Sequence, residues 1–155
     1  MKYSDLKKLL SNIKIANPKI LVVGDVMLDH YVYGDVNRIS PEAPVPIINY
    51  EKEKEVLGGA GNVVHNLVNL GAKVNIATII GDDLDGRTIR DLFNDIKVST
   101  EYVFSTKNIN STKKTRFLSG GVQLLRMDND SKGYLNSDLI IFKKDLIKKI
   151  NQFNC

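Results

Sequence analysis

The chain has 155 residues, of which 43% are hydrophobic and 26% are charged, so it is long enough to bury a core and is not expected to be disordered. Its net charge of +4 comes from scattered lysines and arginines rather than from a basic stripe with aromatic residues, so no nucleic-acid partner is expected. The single cysteine, Cys155, excludes an intramolecular disulfide, and the lysine-rich N-terminal segment resembles neither a signal peptide nor a membrane span, which favours a cytoplasmic protein with no membrane partner.

The first elements predicted along the chain are a helix and a buried strand. Ser4 is a capping residue, the apolar residues after it have helical spacing, and Pro18 ends this short helix. The continuous apolar run 20–23 predicts a strand buried on both faces, which is typical of a parallel sheet. The stretch 38–57 then holds three prolines and an alternating segment over 45–50, which predicts an edge or lid strand.

Helices and strands alternate over the next part of the chain. The predicted elements are a helix over 62–70 ended by Gly71, a buried strand over 74–80, a helix through Ile89 and Ile96, a strand over 101–104 and, further on, an amphipathic helix over 137–153. This order implies right-handed crossovers. It predicts an α/β fold with a doubly wound sheet and helices on both faces.

The segment KKTRFLSGGVQLLRMDND departs from that alternation, because two β-prone runs flank a pair of glycines. Such a pair is typical of a tight hairpin turn. If residues 120–121 form the turn, Phe117 faces Leu124 and Thr115 faces Arg126 across the hairpin.

A cluster of glycines, GGAGN at residues 58–62, precedes one predicted helix. If Asn62 begins the helix, backbone N–H groups and the positive end of the helix dipole face a ligand, which favours anions or hydroxyl-rich molecules. The cluster is not a Walker loop and lacks the GxGxxG spacing of a dinucleotide-binding turn. A tight loop that only packs against the sheet is the alternative.

Acidic residues follow two of the predicted strands. Asp25 and Asp29 lie just beyond the first strand, where open α/β sheets bind ligands, and a carboxylate there can accept hydrogen bonds from two sugar hydroxyls. We interpret Asp29 as the ligand and Asp25 as a turn or capping residue. His65 is interpreted as a packing residue of its helix. Three further acids are expected to cap the next helix rather than bind a metal ion: Asp82, Asp83 and Asp85.

These residues resemble the ribokinase-like (PfkB-type) sugar kinases. GGAGN followed by Gly71 and Gly81 has the spacing of the N-terminal signature of that family, although Val64 stands where a small residue is usual. The similarity is closer still to one member group, the heptose 7-phosphate kinase domain of the bifunctional heptose 7-phosphate kinase/ADP-heptose synthase. The runs GDVMLDHYVYG, RISPEAPVPI and KTRFLSGGVQLLRMD carry that resemblance over about residues 20–128.

The resemblance implies roles for particular residues. The positions that match sugar-binding residues are Asp29, Gly58, Gly59 and Asn62. Segments at about 36–56 and 111–128 match a small β-lid that covers the sugar and pairs between subunits, which implies a homodimer. Cationic side chains of the second segment suit a phosphate carried by the substrate, or else protect exposed strand edges: Lys114, Arg116 and Arg126.

The sequence also departs from the family, because it contains no Gly-Ala-Gly-Asp segment, whose Asp acts as the general base. We therefore expect residues 1–155 to be the N-terminal half of a kinase domain, without catalytic residues and inactive alone, since a missing C-terminal half supplies the base and the site for ATP and Mg²⁺. The alternative is a non-catalytic module that binds sugar phosphates or dimerises. A Rossmann-type nucleotide-binding domain ranks last.

Overall fold

A computed structural model of the chain describes residues 3–16, 18–131, 133–153 and 155. Seven strands and four helices lie in these ranges, followed by one short 3₁₀ turn. In chain order they are α1 (Tyr3–Ala16), β1 (Lys19–Val23), β2 (Val26–Ile39), β3 (Pro46–Gly59), α2 (Ala60–Asn69), β4 (Lys73–Gly81), α3 (Leu84–Asp95), β5 (Ser99–Thr106), β6 (Thr112–Ser119), β7 (Val122–Asn129), α4 (Asn136–Lys149) and the turn Ile150–Gln152. The apolar face predicted for α1 includes Leu10 and Ile13, whose side chains lie outside the described part.

Three strands form a parallel sheet in the order β1-β4-β5, and α2 and α3 pack against it. The middle strand β4 is the most apolar, and Ile76 is fully buried there. Ile89 and Phe93 of α3 and Val64 of α2 are equally inaccessible. The α/β fold is therefore confirmed. The prediction that β1 is buried on both faces is wrong, because residues 20–22 are only half-buried and Val23 is 52% exposed.

The second sheet contains four strands in the order β3-β2-β6-β7, and we call it the mixed sheet because β2 pairs in parallel with β6 while the other pairs are antiparallel. Its longest strands, β2 and β3, have 14 residues each. The strand β2 was not predicted from the sequence, and only part of β3 was. The predicted part is residues 45–50 of β3, which is an edge strand as expected and continues through the charged run EKEKE to Gly59.

The predicted hairpin turn is confirmed, but the predicted pairing beyond it is wrong. Gly120 and Gly121 have φ values of 56° and 80°, which suit the left-handed turn between β6 and β7. A register shift follows between Phe117 and Leu118, so that Phe117 lies opposite Leu125 instead of Leu124. Thr115 for the same reason faces Met127 instead of Arg126. The extra residue on β7 is a β-bulge, which moves every later pair by one position.

Asp83 caps α3 and also ties the start of β6 to the parallel sheet. Its carboxylate accepts hydrogen bonds from the backbone N–H groups of Gly86 and Ser111, each at 2.7 Å. The buried Ser111 hydroxyl in turn accepts a hydrogen bond from the N–H of Gly81 at 3.0 Å. The predicted capping role of this acidic residue is confirmed, and the same contacts fix the junction between the two sheets.

Candidate functional site

The glycine cluster forms the junction of β3 and α2, and at two of its positions a larger residue would clash with neighbouring atoms. Gly59 has φ of 57°, and a Cβ there would lie 2.5 Å from the carbonyl oxygen of Asp25. A Cβ on Gly58 would lie 2.5 Å from the Oδ2 atom of Asp29. The helix begins at Ala60, whose N–H donates to the Asp25 carbonyl at 2.9 Å, so the prediction that Asn62 begins it is wrong. The glycines thus bring two acidic residues close to the start of α2.

Asp29 was predicted to lie just beyond the end of the first strand. In the structure it lies within the next strand, β2. Its register partners are Val56 on β3 and Lys114 on β6. Arg116 donates from Nη1 to Asp29 Oδ1 at 2.6 Å, and the two side chains are 20% and 17% exposed. The pKa of Arg116 is raised because its hydrogen bond to Asp29 favours the charged guanidinium.

Further charged side chains share the face of the mixed sheet that carries Asp29. Side chains alternate between the two faces along each strand, and the register of the strands brings these side chains to the same face. We call this surface the charged face and define it by Asp29, Lys114, Arg116, Arg126 and Asp128. Asp128 Oδ2 lies 3.3 Å from Lys114 Nζ, and its other oxygen lies 2.9 Å from Arg126 Nε. Burial opposes ionisation of Asp128, but these hydrogen bonds outweigh it and lower its pKa. Each of the three cations predicted for phosphate binding therefore already contacts a carboxylate.

Two tyrosines that the sequence analysis missed belong to the same surroundings. The guanidinium of Arg116 lies 5.2 Å from the ring centroid of Tyr31, a cation–π distance, and Tyr31 stacks with Tyr33 at 6.4 Å. The two tyrosines follow Asp29 on β2 at intervals of two and four residues, so all three share one face of the strand. That spacing was the available signal, but it has meaning only once the segment is known to be a strand.

A cavity of about 290 Å³ adjoins the charged face near the start of α2. Its lining includes Asp25, Met27, Thr112, Lys114 and Tyr134. The Tyr134 hydroxyl donates to Asp25 Oδ1 at 2.8 Å, and burial together with this hydrogen bond raises the pKa of Tyr134 well above its usual value. Tyr134 follows the mixed sheet in the chain, and nothing in the sequence pattern distinguished it.

Four other residues were singled out from the sequence: Asn62, Arg126, Asp25 and His65. Asn62 is exposed in the first turns of α2, and Arg126 is 49% exposed on the edge strand β7. Asp25 lies in the turn between β1 and β2, as interpreted from the sequence. His65 is exposed, so its interpretation as a packing residue is wrong.

The family resemblance implies ATP and Mg²⁺ as cofactors of the full-length enzyme. Within the described ranges no group of three or more His, Cys, Asp or Glu residues converges as metal ligands would. The carboxylate oxygens of Asp83 are taken by two backbone N–H groups. The described residues therefore do not fit a metal site. None of the helices in the part of the chain that the structure covers is long and apolar enough to cross a bilayer.

Solved structures of sugar kinases share this fold. A carbohydrate kinase from Agrobacterium tumefaciens matches with a TM-score of 0.59 and 24% identity, covering 72% of this chain and 35% of that one. Arabidopsis thaliana ribokinase, solved in complex with ribose and ATP, matches with a TM-score of 0.57 and 21% identity, covering 80% of this chain and 42% of that one. At these identities the likeness concerns the fold alone.

Curated relatives are more similar in sequence. The bifunctional protein HldE of Sulfurimonas denitrificans is 41% identical over 143 residues, which is 92% of this chain and 30% of that protein. The bifunctional protein HldE of Aliarcobacter butzleri is 45% identical over 121 residues, which is 78% of this chain and 25% of that protein. The chain thus spans less than a third of the length of either relative. The family model for pfkB family carbohydrate kinases matches residues 17–152, and the chain therefore belongs to that family.

Proposed function

We propose that this chain is the sugar-binding part of an ATP-dependent kinase that phosphorylates the anomeric hydroxyl of D-glycero-D-manno-heptose 7-phosphate, a cytoplasmic step of ADP-heptose and lipopolysaccharide core biosynthesis. The similarity to bifunctional HldE proteins supports the choice of substrate. The observation that carries the proposal is the charged face, where Asp29 beside the start of α2 is paired with Arg116 and shares its face of the sheet with Lys114 and Arg126. A phosphorylated sugar needs both kinds of group.

The sugar end of this substrate is assigned to Asp29. Its Oδ2 atom lies over Gly58, where the missing side chain leaves room, and a carboxylate can accept hydrogen bonds from two neighbouring hydroxyls. Gly59 and Asn62 flank the same junction at the start of α2, where the helix dipole favours electron-rich groups. The anomeric hydroxyl would then lie near the start of α2.

The phosphate end is assigned to Lys114, Arg116 and Arg126. Cationic donors form charge-assisted hydrogen bonds with phosphate oxygens, and arginine does so in a bidentate manner. All three side chains lie on adjacent strands β6 and β7. ATP and Mg²⁺ are assigned to residues outside this chain, because its 155 residues contain no Gly-Ala-Gly-Asp segment. The chain alone is then expected to bind the sugar phosphate without transferring a phosphoryl group.

The opposite face of the mixed sheet supports the further proposal of a homodimer. Apolar side chains line a shallow cavity on that face, among them Val32, Ile48, Phe117 and Leu125. Leu125 is 60% exposed, and a second copy of the mixed sheet would cover this surface. The sheet would then act as a lid over the sugar of its own subunit. A non-catalytic dimerisation module is the second candidate function, favoured by this same apolar face.

Calorimetric titration of the full chain with heptose 7-phosphate tests the proposal. We expect saturable binding that Asp29→Asn weakens at least about tenfold, since hydrogen bonds to charged groups contribute roughly 1.5–3 kcal/mol. Asp35→Asn is the matched control, because Asp35 lies on the same strand, is exposed and loses the same charge. Equal weakening in both variants, or no binding by the wild-type chain, would overturn the proposal. Binding without Mg·ATP turnover is the expected result for the chain alone.

A further inference from the structure

Arg116 and Asp29 hold each other in a fixed arrangement. The Nη1–Oδ1 distance of 2.6 Å is short for an ion pair, and both side chains remain partly exposed, so that a ligand can reach them. The ring of Tyr31 supports the guanidinium from one side. The candidate sugar ligand and one candidate phosphate ligand are therefore bound to each other, which links the two ends of the proposed substrate.

This pairing makes a sugar hydroxyl compete with a guanidinium for Asp29. A hydroxyl is a neutral donor and forms a weaker hydrogen bond to a carboxylate than a guanidinium does. A displaced Arg116 would also face Arg126, its register partner on β7, and like charges directly opposite each other are unfavourable. The nearest remaining carboxylate, Asp128, is already shared by Lys114 and Arg126.

A phosphate dianion removes this obstacle, because it gives Arg116 a new counter-ion. We propose that Arg116 is a specificity-determining residue, which occupies Asp29 against neutral sugars and releases it when a phosphate group takes the guanidinium. This inference rests on the proposed function and deepens it. Because coupling between two sites is reciprocal, phosphate binding strengthens hydroxyl binding, and hydroxyl binding strengthens phosphate binding.

Lys114 is the internal contrast. It lies in the same row of β6 and contacts Asp128 and Asp130, but its Nζ is not paired with the sugar ligand Asp29. Removing Lys114 therefore weakens phosphate binding without freeing Asp29. Removing Arg116 has two effects of opposite sign, since it weakens phosphate binding and also makes Asp29 available to hydroxyls.

The test is a set of calorimetric titrations on the full chain with unphosphorylated heptose, the same heptose in the presence of inorganic phosphate, and heptose 7-phosphate. For the wild-type chain, inorganic phosphate should tighten heptose binding about two- to fivefold, the range of a solvent-accessible ion pair. Arg116→Ala should bind unphosphorylated heptose about two- to fivefold more tightly than the wild type and lose the phosphate effect. The same variant should bind heptose 7-phosphate about tenfold more weakly.

Lys114→Ala should weaken heptose 7-phosphate binding without the gain in affinity for unphosphorylated heptose that Arg116→Ala shows. If the wild type binds heptose 7-phosphate but Arg116→Ala binds unphosphorylated heptose no better, the inference is overturned while the proposed function stands. If the wild type does not bind heptose 7-phosphate, the proposed function is overturned and the inference with it. Arg116→Gln, which removes the charge but keeps a polar side chain, replaces Arg116→Ala if circular dichroism shows that the latter does not fold.

Discussion

The two sheets of this protein differ in what stabilises them. The parallel sheet is built around β4, whose residues Ile76–Gly81 are buried without interruption. In the mixed sheet, β7 is exposed at all eight of its positions, and β3 is exposed over most of its middle. The first sheet is therefore stabilised mainly by apolar packing, whereas the second depends on strand pairing and ion pairs.

This difference bears on function, because the charged face belongs to the sheet with little core. Asp29, Arg116 and Lys114 keep enough exposure for a ligand to reach them, and they are held by neighbouring charges rather than by apolar packing. A ligand that replaces one of those charges can rearrange the face at modest cost, since exposed ion pairs contribute only about 0.2–1 kcal/mol. The parallel sheet supplies the rigid support for the site.

The largest expected effect is a loss of packing in the core. Phe93→Ala removes a fully buried ring from α3 and should lower the free energy of unfolding by about 3–5 kcal/mol. Val122→Ala removes an exposed side chain from β7 and should lower it by less than about 0.5–1 kcal/mol. Urea titration followed by circular dichroism measures both. Similar losses in the two variants would contradict the contrast between the sheets.

The sequence predicted the parallel sheet better than the mixed sheet, for a physical reason. Burial on both faces makes β4 a continuous apolar run, and this pattern was recognised over 74–80. In β2 polar and apolar residues do not alternate cleanly, because Asp29 and His30 lie on opposite faces of the strand and Gly34 interrupts the pattern. That this segment is a strand is evident only from its pairing with β3 and β6 in the structure.

For the candidate site, sequence reasoning identified chemical types but not contacts. The ion pair of Asp29 and Arg116 joins residues 87 positions apart, and its formation depends on the parallel pairing of β2 with β6. The bulge between Phe117 and Leu118 is a local backbone feature that the Gly-Gly pair did not indicate. The capping role of Asp83 was predictable because caps depend on nearby residues.

The second prediction concerns the junction between the sheets. Asp83→Ala removes the cap of α3 and leaves the Ser111 N–H without its acceptor, so the free energy of unfolding should fall by about 2–3 kcal/mol. Thermal and urea unfolding measure this loss. Asp82→Ala is the control, since Asp82 is the exposed neighbour and loses the same charge. A loss no greater than that of the control would show that the junction contributes little.

The same carboxylate has a pH dependence of known sign. Burial opposes its ionisation, but the hydrogen bonds from Ser111 and Gly86 outweigh it and lower the pKa of Asp83 below its ordinary value. A lowered folded-state pKa means that the stabilisation is complete above the unfolded value of about 4 and is lost as the pH falls through the folded value. The stability difference between the wild type and Asp83→Ala should therefore shrink below about pH 4.

The smallest expected effect tests the side-chain link between the two sheets. Lys113 on β6 contacts Glu55 on β3 at 3.0 Å and Asp85 on α3 at 2.9 Å, and it lies on the face opposite the charged face. Burial disfavours its charge, but the hydrogen bonds to Asp85 and Glu55 prevail and raise the pKa of Lys113. Lys113→Met should lower the free energy of unfolding by only about 0.5–1 kcal/mol, the range for partly exposed pairs.

In Lys113→Met, local opening of β6 should increase more than the free energy of global unfolding decreases. The first residues of β6 are joined to α3 through this lysine, so their backbone amides should exchange hydrogen faster in Lys113→Met, while those of β4 should keep their protection. Lys107→Met is the control, because Lys107 is exposed and loses the same charge. Faster exchange confined to the mixed sheet would show that it moves as a unit on the parallel sheet. Equal acceleration in β4 and β6 would mean that the two sheets open together, and that their different burial does not divide the molecule into separate cooperative units.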